Sequence, residues 1–366
     1  MKIVAVQAQP VSQIVNPSLA IVSAAGTHPE SNYVFVTVKS DNGLSGFGEA
    51  TVAPGWSGES QASALHAISH ILAPLLVGKE VLNISSLSDV IDRSLIGNPF
   101  TKAALEMAIL DLAGKSLNVP VHQFLGGPRR PAQIPLRFSI GAFSPKEAAR
   151  VARHAVDLGL HAVKVKVGLS VTEDIARVKA VRSELGNDLR VAVDANAGWT
   201  ESDALLAIPH LERLGVNTIE QPLRRGDFRG CARLRKRTFI PIMLDESVFT
   251  RQDALEAIRE DACDLISIYP GKNGGILRSM EIAQMAACAG LQCTIGSNLE
   301  MDLGTAAMLH LAVAVPALAN AVDHDIIGPL YYQRCFTRPA VAFKDGCAVL
   351  PEGVGLGVET NFPESK

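Results

Sequence analysis

Three carboxylates, Asp194 in VAVDANAGW, Glu220 in NTIEQPL and Asp245 in PIMLDESV, each close a short apolar run, with a helical segment between one and the next. A chain that repeats strand and helix in this way is driven toward a parallel sheet, because each crossover helix returns the next strand in the same direction. Closed into a (β/α)₈ barrel, the pattern gathers the three acids around one mouth. There they repel one another unless a cation lies among them. Three hard oxygen ligands suit Mg²⁺, with Mn²⁺ able to substitute. Just upstream, HAVKVKVG sets Lys164 and Lys166 two residues apart, on one face of a strand. A lysine pair beside a carboxylate-bound dication suits proton abstraction.

Strand–helix alternation occupies only part of the chain. Candidate barrel strands fall at residues 135–140, 162–167, 190–194, 218–220, 242–245, 265–269, 292–295 and 321–323, with alanine-rich helices such as 145–158 and 278–289 between them. Before them, residues 1–10 alternate as a strand, and NYVFVTVKSDNGLSGFGEA reads as strand, turn, strand. Helical spacing follows at 61–76, 81–96 and 100–116, then a Gly/Pro-rich joint, LGGPRRPAQIP. The expected α/β architecture is a TIM-like (β/α)₈ barrel (126–328) with an N-terminal α+β capping domain (1–125). A C-terminal tail (329–366), hairpin-like in KDGCAVLPEGVGLGV, is expected to pack back on the cap.

Composition excludes several classes. A net charge of −3 and 48% hydrophobic residues describe an ordinary globular enzyme, with no basic excess for nucleic acid or an anionic membrane. MKIVAVQAQP does not read as a signal peptide, and no apolar run is long enough to span a bilayer. The six cysteines form no CxxC pair and read as buried free thiols of a cytoplasmic protein.

Taken in order, Lys164-Val165-Lys166, Asp194-Ala195-Asn196, Glu220-Gln221-Pro222, Asp245-Glu246-Ser247 and Lys272-Asn273-Gly274-Gly275 resemble the enolase superfamily. They are nearest to its muconate-lactonizing subgroup (mandelate racemase/muconate lactonizing enzyme-like). GLSGFGEA, PGWSGES and VGLGVE resemble that subgroup's capping domain, so the resemblance runs over nearly the whole chain. It implies an enzyme that abstracts the proton α to a carboxylate through an enediolate. It also implies Mg²⁺ on Asp194, Glu220 and Asp245, Lys166 as base, and Lys164 lowering the proton affinity of Lys166. Asn196 and Glu246 are expected behind these ligands rather than on the metal. The implied partner is a small carboxylate-bearing substrate, with a homo-oligomer as the assembly.

One departure bears on mechanism. Lysine-based relatives end the sixth strand in an inward lysine, whereas ISIYPGKNGG places Tyr269 there. Lys272, beyond Pro270 and Gly271, reads first as a solvated or helix-capping loop lysine. Both stay among the candidate catalytic groups. Without a second lysine, one-base chemistry is favoured: a cycloisomerase-type isomerase first, an acid-sugar or hydroxy-acid dehydratase next, then a racemase or epimerase, or a silent metal-binding scaffold. Substrate contacts are expected from an irregular mobile lid over 14–31, from Trp56, and from Ser297, Asn298 and Glu300 after the seventh strand. Glu300 has a helix-capping reading as well. His66 and His70 lack a third metal ligand. Gly43, Gly46 and Gly48 are not followed as a dinucleotide fingerprint requires.

Overall fold

The computed structural model describes residues 1–332 and 334–360. The chain opens with β1 (Ile3–Ile14), a separate small hairpin of β2 (Ile21–Ser23) and β3 (Gly26–His28), then β4 (Glu30–Ser40) and β5 (Ser45–Val52). Strands β1, β4 and β5 form one antiparallel sheet, and the Asp41–Gly43 turn fixes the register of its second hairpin. The segment read as an irregular lid therefore contains a hairpin. Gly26, at φ 125°, takes its turn in a conformation an L side chain resists.

Helices α1 (Pro54–Ser57), α2 (Gln61–His66), α3 (Ala73–Leu76), α4 (Ile84–Ser94) and α5 (Pro99–Leu117) complete the cap, with a π-helical stretch at Ala67–Leu72 joining α2 to α3. Helix α5 is apolar nearly all round and buried along most of its length, as such a helix must be. Glycine makes this packing possible. A Cβ on Gly48 would lie 1.9 Å from the Ala104 carbonyl oxygen, and one on Gly46 2.1 Å from that of Ala108. The glycines of GLSGFGEA thus let β5 lie against α5.

After β6 (Gln133–Pro135), seven parallel strands run side by side in chain order: β7 (Phe138–Ile140), β8 (Ala162–Lys166), β9 (Arg190–Asp194), β10 (Val216–Glu220), β11 (Ile242–Leu244), β12 (Leu265–Ile268) and β13 (Gln292–Ile295). Between and after them lie α6 (Pro145–Asp157), α7 (Val171–Leu185), α8 (Glu201–Arg213), α9 (Phe228–Arg235), α10 (Arg251–Arg259), the single turn α11 (Pro270–Asn273), α12 (Ile276–Cys288) and α13 (Asp302–Ala314). This is an α/β, TIM-like barrel.

Two strand expectations need correction. The expected first strand is split, with Leu136 and Arg137 separating β6 from β7. The expected eighth strand at 321–323 is not a strand. Its segment closes the barrel through a few isolated bonds, Arg137 N to His324 O at 3.0 Å and His324 N to Pro135 O at 3.1 Å on one side, Asp325 N to Ile295 O at 2.9 Å on the other. Beyond it, hairpin β15 (Ala342–Lys344) and β16 (Cys347–Val349) pairs with β6, while β14 (Thr337–Arg338) pairs with β17 (Glu359–Thr360). Leu356 N then donates to Asp111 of α5 at 2.8 Å. The six cysteines are free, but only Cys231, Cys263 and Cys293 are buried; Cys288 and Cys335 are exposed. Among the described residues, no helix is long and apolar enough to cross a membrane.

Candidate active site

Register brings the polar strand ends together. Lys166 pairs with Asp194 across β8–β9, Asp194 with Glu220 across β9–β10, and Glu220 with Met243 across β10–β11, two residues before Asp245. Gly168, at φ 98°, follows the lysine strand where a Cβ would meet the Ala195 carbonyl oxygen at 2.3 Å. The chain then turns through left-handed residues that are not glycine: Asn196 (φ 42°), Ala197 (φ 63°), Gln221 (φ 33°) and Leu299 (φ 59°). Such strain collects where surrounding bonds over-determine a site. Gln221 supplies some of those bonds, its Oε1 accepting from Asp245 N and Ser247 N, each at 3.0 Å.

Every carboxylate of the cluster meets a cation of the protein. Lys166 Nζ lies 2.6 Å from Asp194 Oδ2. Lys164 Nζ reaches Glu220 at 3.1 Å and Asp325 at 2.8 Å. Lys272 is not a loop lysine. Helix α11 folds it back, fully buried, to donate to Asp245 Oδ1 (2.7 Å), Asp245 O (2.9 Å) and Ser267 O (2.6 Å). Its ammonium has three donors, and all three are engaged.

Sequence reasoning missed Arg137 and Asp325. Arg137, 1% exposed, spans Asp325 with Nε at 2.8 Å and Nη2 at 2.7 Å, and Nη2 also lies 2.6 Å from Glu220. Burial opposes ionisation of Asp325, yet Arg137 and Lys164 hold its pKa below the usual range. Burial likewise disfavours the Lys164 ammonium, but Asp325 and Glu220 outweigh it and keep Lys164 protonated. For Asp194 burial is overcome by Lys166 and Lys164, so its pKa is lowered.

The donor set fits a divalent cation. As the side chains stand, no three acidic, histidine or cysteine residues among those described form one ligating cluster, and Asp194, Glu220 and Asp245 are each paired with a lysine. Asn196 Oδ1 and Glu246 Oε2 are nonetheless buried without a hydrogen-bond donor among the described residues. They belong to one unit, since Asn196 Nδ2 donates to Glu246 Oε1 at 2.8 Å. Burial, then the charges of Asp245 and Asp194, push Glu246 up to about 8. Unpaired acceptors beside crowded carboxylates are what a hard cation relieves. The strand ends at Leu244, and Glu246 is thereby turned to the back of the cluster rather than away from it.

A cavity of about 330 Å³ opens above the lysines, between barrel mouth and cap. Trp56, Ser297 and Asn298 line it, together with Lys164, Lys166, Asp194, Asn196, Asp245 and the missed Ser139 and Asp325. Hairpin β2–β3 contributes Ile21, Ser23 and Thr27. Glu300 does not line the cavity. It lies 4% exposed behind it, accepting from Ser297 Oγ (2.5 Å) and Asn298 N (3.0 Å), so it shapes the loop from beneath. Tyr269 is also absent from the lining. Its ring stands 6.0 Å from Trp56 and 6.3 Å from Phe100, and its hydroxyl makes no hydrogen bond among the described residues. Burial, then Asp245 and Glu300, keep that hydroxyl protonated.

A barrel mouth of lysines and acids under a two-part cap defines a class, and comparison with known proteins gives the family. Residues 5–126 match the mandelate racemase / muconate lactonizing enzyme N-terminal domain, and residues 147–365 the enolase C-terminal domain-like family. The chain belongs to the mandelate racemase/muconate lactonizing enzyme group of the enolase superfamily, a group of enzymes. It is 32% identical to N-succinyl-L-Arg/Lys racemase of Bacillus cereus over 92% of this chain and 90% of that one. It is 34% identical to muconate cycloisomerase 1 of Rhodococcus opacus (91% and 90%) and to L-Ala-D/L-Glu epimerase of Bacillus subtilis (89% and 88%). Among solved structures, 2-chloromuconate cycloisomerase of Rhodococcus opacus superposes with a TM-score of 0.94 at 31% identity, covering 99% of this chain and 97% of that one.

Proposed function

We propose that this enzyme is a Mg²⁺-dependent isomerase that removes the proton α to the carboxylate of a small substrate and works on one face of that carbon, as in a cycloisomerisation. One observation carries the reading. Among the described residues lining the cavity, the amines are Lys164 and Lys166, both on β8, and the opposite wall offers none. Lys164 is held protonated by Asp325 and Glu220, and Lys272 is spent on Asp245 and Ser267. That leaves Lys166 as the base.

Asp194, Glu220 and Asp245 would hold Mg²⁺, with Asn196 and Glu246 behind them. Such an ion would supply Lewis acidity at the substrate carboxylate, which makes the α-proton more acidic. Lys166, whose Nζ lies 2.6 Å from Asp194 Oδ2, would take that proton. The Lys164 ammonium, on the same strand face, disfavours a second positive charge on Lys166 and opposes the negative charge that builds at the carboxylate. Trp56 and the β2–β3 hairpin cover the cavity and limit water.

A second reading is epimerisation or racemisation, the activity named for several relatives. Its support here is Tyr269, whose protonated hydroxyl has no partner among the described residues and whose ring stands 6.0 Å from that of the lining Trp56. A hydro-lyase outcome, loss of a β-hydroxyl after the same abstraction, would use Lys166 alone. The test is exchange in ²H₂O followed by NMR. Deuterium should enter one face, and Lys166→Ala should slow exchange by about 10²- to 10⁴-fold. Racemisation as fast as turnover, lost in Tyr269→Phe, would establish the second reading instead.

A further inference from the structure

We infer that the substrate is a monocarboxylate whose remaining part is uncharged and hydrogen-bonding, such as a hydroxylated or acylated small acid, rather than a dicarboxylate or an amine-bearing acid. This rests on the proton-abstraction reading above and adds to it the character of the cavity beyond the metal end.

The argument is one of charge. Six charged side chains line the cavity: Lys164, Lys166, Asp194, Asp245, Asp325 and Glu30. The first four belong to the carboxylate-binding end. Asp325 is the one further acid on the inner wall, and it has no charge to offer. Arg137 binds both its oxygens at 2.8 and 2.7 Å, and Lys164 adds a third bond at 2.8 Å. Glu30 stands exposed at the rim, the first residue of β4. No arginine or histidine is among the described lining residues, and both lysines sit at the reacting end. A second carboxylate on the substrate would lose its water and find no cation. An ammonium would find Asp325 already neutralised and, at the rim, only the solvated Glu30, where a charge pair contributes little. Both losses are large for buried charges.

The neutral polar groups are the complement of this deficit. Ser139, 6% exposed, is not hydrogen-bonded through its hydroxyl among the described residues. Asn32, a lining residue, accepts from Ser12 Oγ through its Oδ1, and its Nδ2 makes no hydrogen bond among the described residues. Asn298 spends its Nδ2 on the Thr51 carbonyl and so keeps its Oδ1. Lining residues therefore carry unengaged donors and an acceptor, interleaved with the apolar Ile21, Val52 and Ile327. Such a surface recognises hydroxyl and amide groups and penalises charge.

The experiment uses the full-length Mg²⁺-loaded protein and sets of three acids built on one carbon skeleton, ending in a hydroxyl or amide, a carboxylate, or an ammonium. Calorimetric titration reads binding, and α-proton exchange in ²H₂O reads reaction. The neutral member of at least one set should bind about 100-fold more tightly than its charged counterparts, the size an unpaired buried charge gives. Equal or tighter binding of the charged members, or no binding by any neutral member, overturns the inference. Lys166→Ala separates this from failure of the underlying reading. If exchange on a bound neutral acid is unchanged in that variant, the assigned base is wrong while the charge preference stands.

Discussion

Arg137 carries two buried acids, Glu220 at 2.6 Å and Asp325 through both oxygens, while itself 1% exposed. Removing one partner of a buried ionic group leaves an uncompensated charge, so Arg137→Met should cost about 3–5 kcal/mol in urea unfolding. Arg137→Met combined with Asp325→Leu removes acid and base together and should recover most of that loss. A loss below about 1 kcal/mol in the single variant would mean that Lys164 suffices, since surface-like pairs contribute only that much. Ligation is tested by Asp245→Asn, which should weaken Mg²⁺ binding at least about 10-fold, the loss that outer partners of a metal site alone produce. Unchanged affinity would remove Asp245 from the ligand set. The lysine pair and the three acids were legible because strand spacing sets them on one face. Arg137 was not, because its partners Glu220 and Asp325 lie far along the chain and meet it only when the barrel closes. Lys272 was misread for a related reason. Its reach depends on the single turn α11, signalled only by Pro270 at its start and Gly274, φ 83°, at its end.

Helix α5 shows how an element can be legible in its bounds and obscure in its role. Its helix formers mark it out, yet nothing local reveals that Glu106, 2% exposed, faces the start of α12 and accepts from Leu277 N at 3.1 Å and Ser88 Oγ at 3.0 Å. Burial pushes Glu106 up to about 7. The sign follows from linkage. In the unfolded chain the group ionises near 4.5, whereas in the folded protein it keeps its proton to about 7, so stability falls as pH rises through that window. The contribution is on the order of 3 kcal/mol by the usual conversion. Glu106→Gln, which cannot ionise, should flatten the fall between pH 4.5 and 7 in denaturant titrations. An unchanged slope would assign the pH dependence to other groups. The eighth barrel segment and the β2–β3 hairpin were harder to foresee, the first because it is held by isolated bonds, the second because three-residue strands carry too little periodicity.

Cap and barrel read as separate units in the sequence, since alternation changes character near the Gly/Pro joint. In the folded molecule one contiguous apolar core runs through both, from Ile68, Leu105 and Leu110 to Val193, Ile266 and Leu309. Buried polar bonds cross the same boundary. Tyr33 of β4 donates to Leu299 O at 2.7 Å. Glu49 of β5 accepts from Met301 N at 2.7 Å and Gly304 N at 3.0 Å, at the start of α13. Nearer the surface, Arg278 of α12 reaches the exposed Asp89 and the half-buried Asp92 of α4 at 2.9 and 2.8 Å. An interface of this kind couples the melting of its two sides, even in a chain long enough for independent domains. Scanning calorimetry of the full chain should therefore show a single transition, with calorimetric and van't Hoff enthalpies in agreement. Glu49→Leu gives the sharper test, because it strips two buried N–H groups of their acceptor at about 1–3 kcal/mol each. In a molecule of this size each kcal/mol lowers Tm by roughly 1–2 °C. If the two parts are one cooperative unit, the whole transition moves down by several degrees and stays single. If the cap is merely seated on the barrel, the variant instead splits the trace, a lower transition for the cap parting from an unmoved one for the barrel, and the shared-core account fails.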